Sequence, residues 1–87
     1  AVKARGIMIF YSFEQQWRIW IGQRRYYIEQ GYMFELRIKN MYFPALLEKD
    51  TDWFISINGE VSFTLHPYEV YKVRIQKEDY FLIPEAP

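Results

Sequence analysis

Few residues of this chain have the chemistry or the spacing of a catalytic site. His66 is the only histidine and there is no cysteine, which excludes a multi-histidine metal site, a thiolate site and a cysteine nucleophile. The three serines, Ser12, Ser56 and Ser62, occupy strand-like alternating positions rather than a glycine-flanked nucleophile elbow. A single histidine before Pro67 in a turn is more often structural or solvated than catalytic. We therefore expect no enzyme activity, no catalytic residue and no cofactor.

Two acidic residues in a short segment raise the question of a metal site. Asp50 and Asp52 flank Thr51, and hard cations such as Ca²⁺ prefer carboxylate oxygens. The segment lacks the glycine spacing and the third ligand of a calcium loop. Asp and Asn are also favoured at hairpin tips, where they bond to their own backbone. The turn interpretation is the better one, and no metal is expected.

Basic and aromatic residues alternate in the first half of the chain. Small barrels bind single-stranded nucleic acid by stacking bases on aromatic rings and pairing phosphates with cations. Residues 1–39 have a net charge of +4 and residues 40–87 of −4, so the whole chain sums to zero. We expect the two halves to interleave in a barrel, so that their charges largely pair. Nucleic-acid binding is therefore the alternative function, and its candidate residues are Arg18, Arg24, Arg25, Arg37 and Lys39, with Trp20, Tyr26, Tyr27 and Tyr32.

Several apolar residues remain on the outward positions after the inward ones are filled. Contiguous exposed apolar surface marks interfaces, and Tyr and Trp dominate binding hot spots. We predict that a protein partner or a second copy binds here. In the competing interpretation, the N-terminal strand or residues 80–83 cover these side chains as a second core. The candidate interface residues are Trp20, Tyr42, Pro44, Leu46 and Phe54, joined by Met8 or Phe10.

The elements that position these residues are predicted to be short strands. Aromatic and β-branched residues predominate, with 18 Phe, Tyr and Trp, and no segment has a long helical periodicity. Asn58-Gly59 is the strongest hairpin signal, because both residues tolerate positive φ. The predicted strands are 7–13, 17–21, 24–29, 33–39, 41–49, 53–57 and 71–76, and residues 61–65 are either a further short strand or an irregular approach to the last one.

This pattern predicts an all-β fold, a small barrel or a compact sandwich of short antiparallel strands, formed by one domain over residues 6–76. Residues 1–5 are expected to be an N-terminal arm or a cloning remnant, and residues 77–87 a C-terminal tail. No apolar stretch is long enough to span a membrane, and no signal peptide is evident. The absence of cysteine favours a reducing compartment, so a cytoplasmic location is expected.

Short motifs along the chain resemble a known family. The motifs are Gly6-x-Met8, Trp17-Arg18-Ile19, Gly31, Phe34-Glu35-Leu36, Tyr42-Phe43-Pro44-Ala45-x-Leu47-Glu48, Asp52-Trp53-Phe54, Leu65 and Lys72-Val73-Arg74-Ile75. They resemble a family of short uncharacterised proteins from Gram-positive bacteria and their phages and conjugative elements. The resemblance implies an SH3-like barrel but no activity. The chain departs from the family pattern at Leu46, where Arg is frequent, and at Val70-Tyr71, where Gly-Leu is frequent.

Overall fold

The computed structural model describes residues 3–76, which form eight β-strands and no helix. The strands are β1 (Lys3–Tyr11), β2 (Gln16–Ile21), β3 (Arg24–Ile28), β4 (Met33–Ile38), β5 (Met41–Lys49), β6 (Trp53–Ile57), β7 (Val61–Thr64) and β8 (Tyr71–Gln76). The all-β prediction is confirmed, and seven strands begin and end within one residue of their predicted bounds. With no helix in the described range, none is long and apolar enough to cross a membrane.

The first strand differs most from its prediction. β1 begins at Lys3 and pairs with β8 from that residue onward, so residues 3–5 belong to the sheet rather than to an arm. It ends at Tyr11, and residues 12–15 form the turn to β2. The predicted tail, residues 77–87, lies outside the described residues.

All eight strands belong to one antiparallel sheet in the order β3-β2-β1-β8-β4-β5-β6-β7. The last strand is thus inserted between the first and the fourth. A flat sheet of this kind would be about 33 Å wide and one layer thick. The extents of 31 × 28 × 21 Å show instead that the sheet curls into a small barrel-like body around a single core.

One face of every long strand is turned toward this core. Alternate residues are buried, as period-2 patterning requires, with Trp17 at the centre against Phe10 and Tyr71 at ring-centroid distances of 5.2 and 5.8 Å. Met8 is fully buried and Phe10 packs on the core, so the prediction that one of them joins an outward patch is wrong. The buried set is Met8, Trp17, Ile19, Ile28, Phe34, Leu36, Ala45, Leu47, Ile55, Ile57, Leu65, Val73 and Ile75.

The predicted hairpin at Asn58-Gly59 is confirmed. These residues have φ values of 54° and 67°, the left-handed conformation that both central positions of a type I′ turn require. The turn joins β6 to β7, whose register pairs Ile57 with Val61. The strong local signal and the observed turn therefore agree.

Candidate nucleic-acid interface

The sheet order separates the charges of the chain rather than mixing them. Because β8 is inserted between β1 and β4, residues 3–39 and 71–76 supply five neighbouring strands, with nine basic and three acidic side chains. Residues 40–70 supply β5, β6 and β7, with one basic and five acidic side chains. The two halves of the chain thus interleave only through β8, and because β8 brings Lys72 and Arg74 rather than acids, the expectation that their charges largely pair is wrong. The molecule has a cationic half and an anionic half.

The outer surface of the five cationic strands is called the basic face below. Register assigns its members, because residues opposite each other on paired strands project to the same side of the sheet. Glu35 is the one acidic residue that these strands contribute, and Glu14 reaches the Tyr27 hydroxyl from the β1–β2 turn. The cations are Lys3, Arg5, Arg18, Arg25, Arg37, Lys72 and Arg74, and the aromatic residues are Tyr11, Trp20 and Tyr27.

Like charges lie directly opposite each other on this face. Arg5 on β1 pairs with Arg74 on β8, and like charges at such a position are destabilising. The next row has Lys72 opposite Ile7, which is itself opposite Trp20. The face thus holds several cations at strand spacing, an arrangement that an anionic ligand would stabilise.

Arg18 is clamped between two tyrosine rings. Its guanidinium lies 3.6 Å from the ring centroid of Tyr11 and 5.1 Å from that of Tyr27, within the range of cation–π attraction. Its Nη2 donates to the Tyr27 hydroxyl at 3.3 Å. The residue is only 6% exposed, and no carboxylate of residues 3–76 forms an ion pair with it. A buried cation is thus held by aromatic rings instead of by an acid.

The hydroxyl of Tyr27 connects this clamp to the β1–β2 turn. The pKa of Tyr27 is raised, chiefly by its hydrogen bond with the Glu14 carboxylate and then by burial, while Arg18 opposes the shift. Tyr27 therefore remains protonated at neutral pH. Its hydroxyl accepts from Arg18 and faces the Glu14 carboxylate, so it lies between a cation and an acid.

Two further arginines lie over aromatic rings on the outer surface. The guanidinium of Arg25 is 5.4 Å from the ring centroid of Trp20, and that of Arg74 is 4.2 Å from Tyr42 on β5. Stacking of this kind restricts the side chain while leaving the guanidinium edge able to donate hydrogen bonds. The arginines are therefore ordered by rings as well as by charge.

Glu35 neutralises part of the basic face. Its carboxylate accepts from Arg74 Nε at 3.0 Å and Nη2 at 3.1 Å, and it lies 2.8 Å from Lys3 Nζ. The forked hydrogen bonds from Arg74, with a smaller contribution from Lys3, hold the pKa of Glu35 below its usual value. The same pair raises the pKa of Arg74. Arg5 and Lys72 form no ion pair within the described range.

The residues predicted for nucleic-acid binding divide between the basic face and other positions. Arg18, Arg25 and Arg37 lie on the basic face, as do Trp20 and Tyr27. The remaining four lie elsewhere: Arg24 is in the core-side register at the start of β3, Tyr26 is in the core, Tyr32 stacks on Phe34, and Lys39 is in the β4–β5 turn.

The residues predicted for protein binding do not form one patch. Trp20 is on β2, whereas Tyr42, Pro44 and Leu46 are on β5 and Phe54 is on β6. Strands β1, β8 and β4 lie between the two groups. Four of the five side chains are half-buried, and only Pro44 is exposed.

The most exposed large apolar residues were not predicted from the sequence. Phe13 (89% exposed) and Tyr68 (99%) are in turns, while Met33 (68%) and Met41 are at strand ends. The polar run after Phe13 is the one signal that indicated a turn there. Strand patterning does not reveal exposure at such positions, because it distinguishes the two faces of a strand and not the positions beyond its ends.

The acidic segment at residues 50–52 forms a turn. Asp50 donates its N–H to the Asp52 carbonyl at 3.0 Å, which connects β5 to β6. Within residues 3–76, no group of three or more His, Asp or Glu side chains is placed to hold a metal ion.

A single curled antiparallel sheet with one cationic, aromatic-containing surface defines a small all-β domain. The family model described as "Domain of unknown function (DUF5348)" matches residues 6–75, and the chain belongs to that family. The predicted resemblance to an uncharacterised family is thus confirmed, while the Gram-positive or mobile-element origin and the SH3-like topology stay predictions. No curated protein and no solved structure matches the chain.

Proposed function

We propose that this chain is a non-enzymatic module that binds single-stranded nucleic acid on its basic face. The observation that carries the proposal is the insertion of β8 between β1 and β4. It places Lys72 and Arg74 beside the cations of β1, so that nine of the ten basic residues between 3 and 76 lie in one half of the molecule.

Phosphate binding is favoured by the repulsion within this face. Arg5 and Arg74 are opposite each other and Lys3 is close by, yet the surrounding strands offer Glu35 as the one acid. Phosphates bound between these strands would relieve the repulsion and release counterions. The affinity therefore comes from charges that the fold itself has brought together.

Base stacking is favoured by the rings on the same face. Tyr11, Trp20 and Tyr27 lie on adjacent strands among the arginines, and each ring contacts a guanidinium. Aromatic rings with interspersed cations are the common feature of surfaces that bind single strands with little sequence preference. A duplex would not present its bases to such rings, so single strands are the preferred ligand.

The finer predictions from the sequence fit this role. A protein without cysteine is suited to the reducing cytoplasm, where nucleic acid is present. The resemblance to proteins of phages and conjugative elements points the same way, since such elements expose single strands during transfer. An SH3-like barrel would present the basic face as its outer wall.

The test is a titration of labelled single-stranded DNA and RNA, each about 12 nucleotides long. We expect the wild type to bind both, with affinity that falls as salt rises. Lys72→Gln should weaken binding and reduce the slope of log affinity against log salt by about 0.7. The double variant R5Q/K72Q should reduce the slope of log affinity against log salt by twice that amount. Lys49→Gln removes a cation from the anionic half and is the matched control.

Two outcomes would overturn the proposal. The first is that the wild type does not bind either strand at low salt. The second is that Lys49→Gln and Lys72→Gln weaken binding equally, which would mean that any cation contributes and that the basic face is not a site. Equal binding of a duplex would contradict the stacking argument alone.

A second copy bound on β4 and β5 is a further candidate function. Met33 is largely exposed and lies directly opposite Leu46. Pro44, two residues before Leu46 on β5, and Phe54 on β6 project to the same side of the sheet. Together these side chains form an apolar surface at the border of the two halves. Apolar surface of this kind favours self-association.

Sedimentation at increasing protein concentration tests this candidate. Self-association through this surface predicts a concentration-dependent increase in mass that Leu46→Glu abolishes, whereas Glu48→Gln on the same strand leaves it unchanged. A monomer at every concentration would remove self-association as a function. The nucleic-acid proposal would be unaffected, because the cations that test it, Arg5 and Lys72, lie on β1 and β8.

A further inference from the structure

We propose that Phe13, at the tip of the β1–β2 turn, is a base-stacking residue for the single strand bound on the basic face. This inference rests on the proposed function and names a contact that extends it beyond the strands. Phe13 is 89% exposed, and its ring lies 5.7 Å from that of Tyr11 at an interplanar angle of 48°. It therefore continues the line of aromatic groups that begins at the Arg18 clamp.

The three groups form a continuous series from buried to exposed. Arg18 is buried, Tyr11 covers it at 3.6 Å and is half-buried, and Phe13 contacts Tyr11 from the solvent side. Arg18 lies beneath Tyr11, whereas Lys3 and Arg5 are at the opposite end of β1, so a single strand stacked on Phe13 must run along β1 to reach these two cations.

The turn that presents Phe13 is held in place by hydrogen bonds. The N–H of Glu14 donates to the Tyr11 carbonyl at 3.3 Å, and the Gln15 side chain donates to the Ser12 carbonyl at 2.8 Å. Gln15 has a φ of 55°, a left-handed conformation unusual for a residue other than glycine. The phenyl ring at this turn contributes little to the core and contacts Tyr11.

The exposure of Phe13 makes the inference easy to test, because its removal should not disturb the fold. We expect Phe13→Ala to weaken binding of the labelled single strands by about tenfold, a typical loss for one stacked base. Phe13→Trp should bind at least as tightly as the wild type, whereas Phe13→Leu should lose nearly as much as Phe13→Ala. The matched control is Tyr68→Ala, which removes an equally exposed ring in the β7–β8 connection.

Abasic oligonucleotides then distinguish stacking from a general apolar contact. Removal of the one base that stacks on Phe13 should weaken wild-type binding to the level of Phe13→Ala. When the abasic strand and Phe13→Ala are combined, the loss of affinity should be no larger than the loss from either change alone. The abasic position that shows this behaviour locates the base. Additive losses at every position would overturn the inference.

The failure of this inference is distinguishable from the failure of the proposed function. If Lys72→Gln weakens binding while Phe13→Ala and Phe13→Leu do not, the basic face binds nucleic acid and Phe13 takes no part. If Phe13→Leu binds like the wild type while Phe13→Ala does not, the contact is apolar rather than aromatic and the inference is wrong. If the wild type binds no single strand, both proposals fall together.

Discussion

The cationic and anionic halves of this molecule share one sheet and one core but are built differently. In the five-strand half, the outer surface carries arginines stacked on rings and one carboxylate that is shared by two cations. In the three-strand half, the acids lie mainly in turns, and Glu48 on β5 accepts a hydrogen bond from Ser56. The first surface gathers many cations around one carboxylate, whereas the second half has most of its acids in exposed turns. This difference is the basis on which we propose that the first half binds the ligand.

The largest expected effect of a single substitution concerns the close approach of β1 and β2 in the cationic half. A Cβ added at Gly6 would lie 2.2 Å from the Trp20 carbonyl oxygen and 2.6 Å from Ile21 Cδ1. Because the first contact is with backbone, Gly6→Ala must push the strands apart. We expect it to lower the free energy of unfolding by about 3 kcal/mol, measured by urea denaturation.

Gly59→Ala is the matched control in the anionic half. A Cβ at Gly59 meets no atom within 4 Å, so only its φ of 67° makes the substitution unfavourable. That conformation costs about 1 kcal/mol for alanine. Equal unfolding midpoints for the two variants would contradict the inference that the two halves differ in how closely their strands approach.

The next effect concerns Glu35 and the pH dependence of stability. Its pKa is lowered in the folded chain, mainly by Arg74, so its contribution is complete above the unfolded value of about 4.3 and is lost as pH falls through the lower folded value. We expect Glu35→Gln to cost about 1 kcal/mol at pH 7, since it breaks a forked pair. The cost should decrease as pH falls through the lowered pKa of Glu35 in the folded chain.

Denaturant unfolding of both proteins from pH 7 to pH 3 measures this difference. Glu60→Gln, in the exposed β6–β7 turn, is the control and should change stability by less than about 0.5 kcal/mol. A constant difference between the wild type and Glu35→Gln across the pH range would show that the ion pair does not contribute.

The smallest expected effect on stability is at Arg18. Replacement of a buried cation that has no acidic partner by an apolar residue of similar length is often neutral, because the cost of removing the charge from water disappears. We expect Arg18→Met to change the free energy of unfolding by less than about 1 kcal/mol. The same variant should bind single strands much more weakly.

Lys49→Met in the anionic half, where the ammonium lies 5.1 Å from the Trp53 ring centroid, is the control for both measurements. It should change neither stability nor nucleic-acid binding. If Arg18→Met were to destabilise the protein by 3 kcal/mol or more, the clamp would be a structural element of the cationic half, and the contrast between the halves would lose its functional meaning.

The strands and the Asn58-Gly59 turn could be predicted from the sequence because their signals are local. Alternation in residues 33–38 assigns the inward and outward faces directly, and positive φ selects the turn residues. In residues 7–10 every side chain is apolar, so the sequence pattern does not show which of them face the core and which face outward. For this reason the prediction that Met8 or Phe10 faces outward is wrong: both side chains lie on the core side.

The candidate site depends on pairings that local patterns do not encode. The position of β8 between β1 and β4 is a long-range choice, and it determines whether the charges of the two halves mix. Likewise, the burial of Arg18 depends on Tyr11 and Tyr27, which meet only because β1 and β3 both pair with β2. The residue types of the site were therefore partly predictable, but their grouping was not.

The pairing of the last strand with the first has a consequence for synthesis of the chain. Lys3 pairs with Gln76 and Met8 with Tyr71, so β1 remains without its β8 neighbour until nearly the whole described chain has left the ribosome. Contacts of such sequence separation form slowly in folding. The cationic surface is consequently assembled last, and a nascent chain that still lacks β8 has neither Lys72 nor Arg74 in place to hold a nucleic acid.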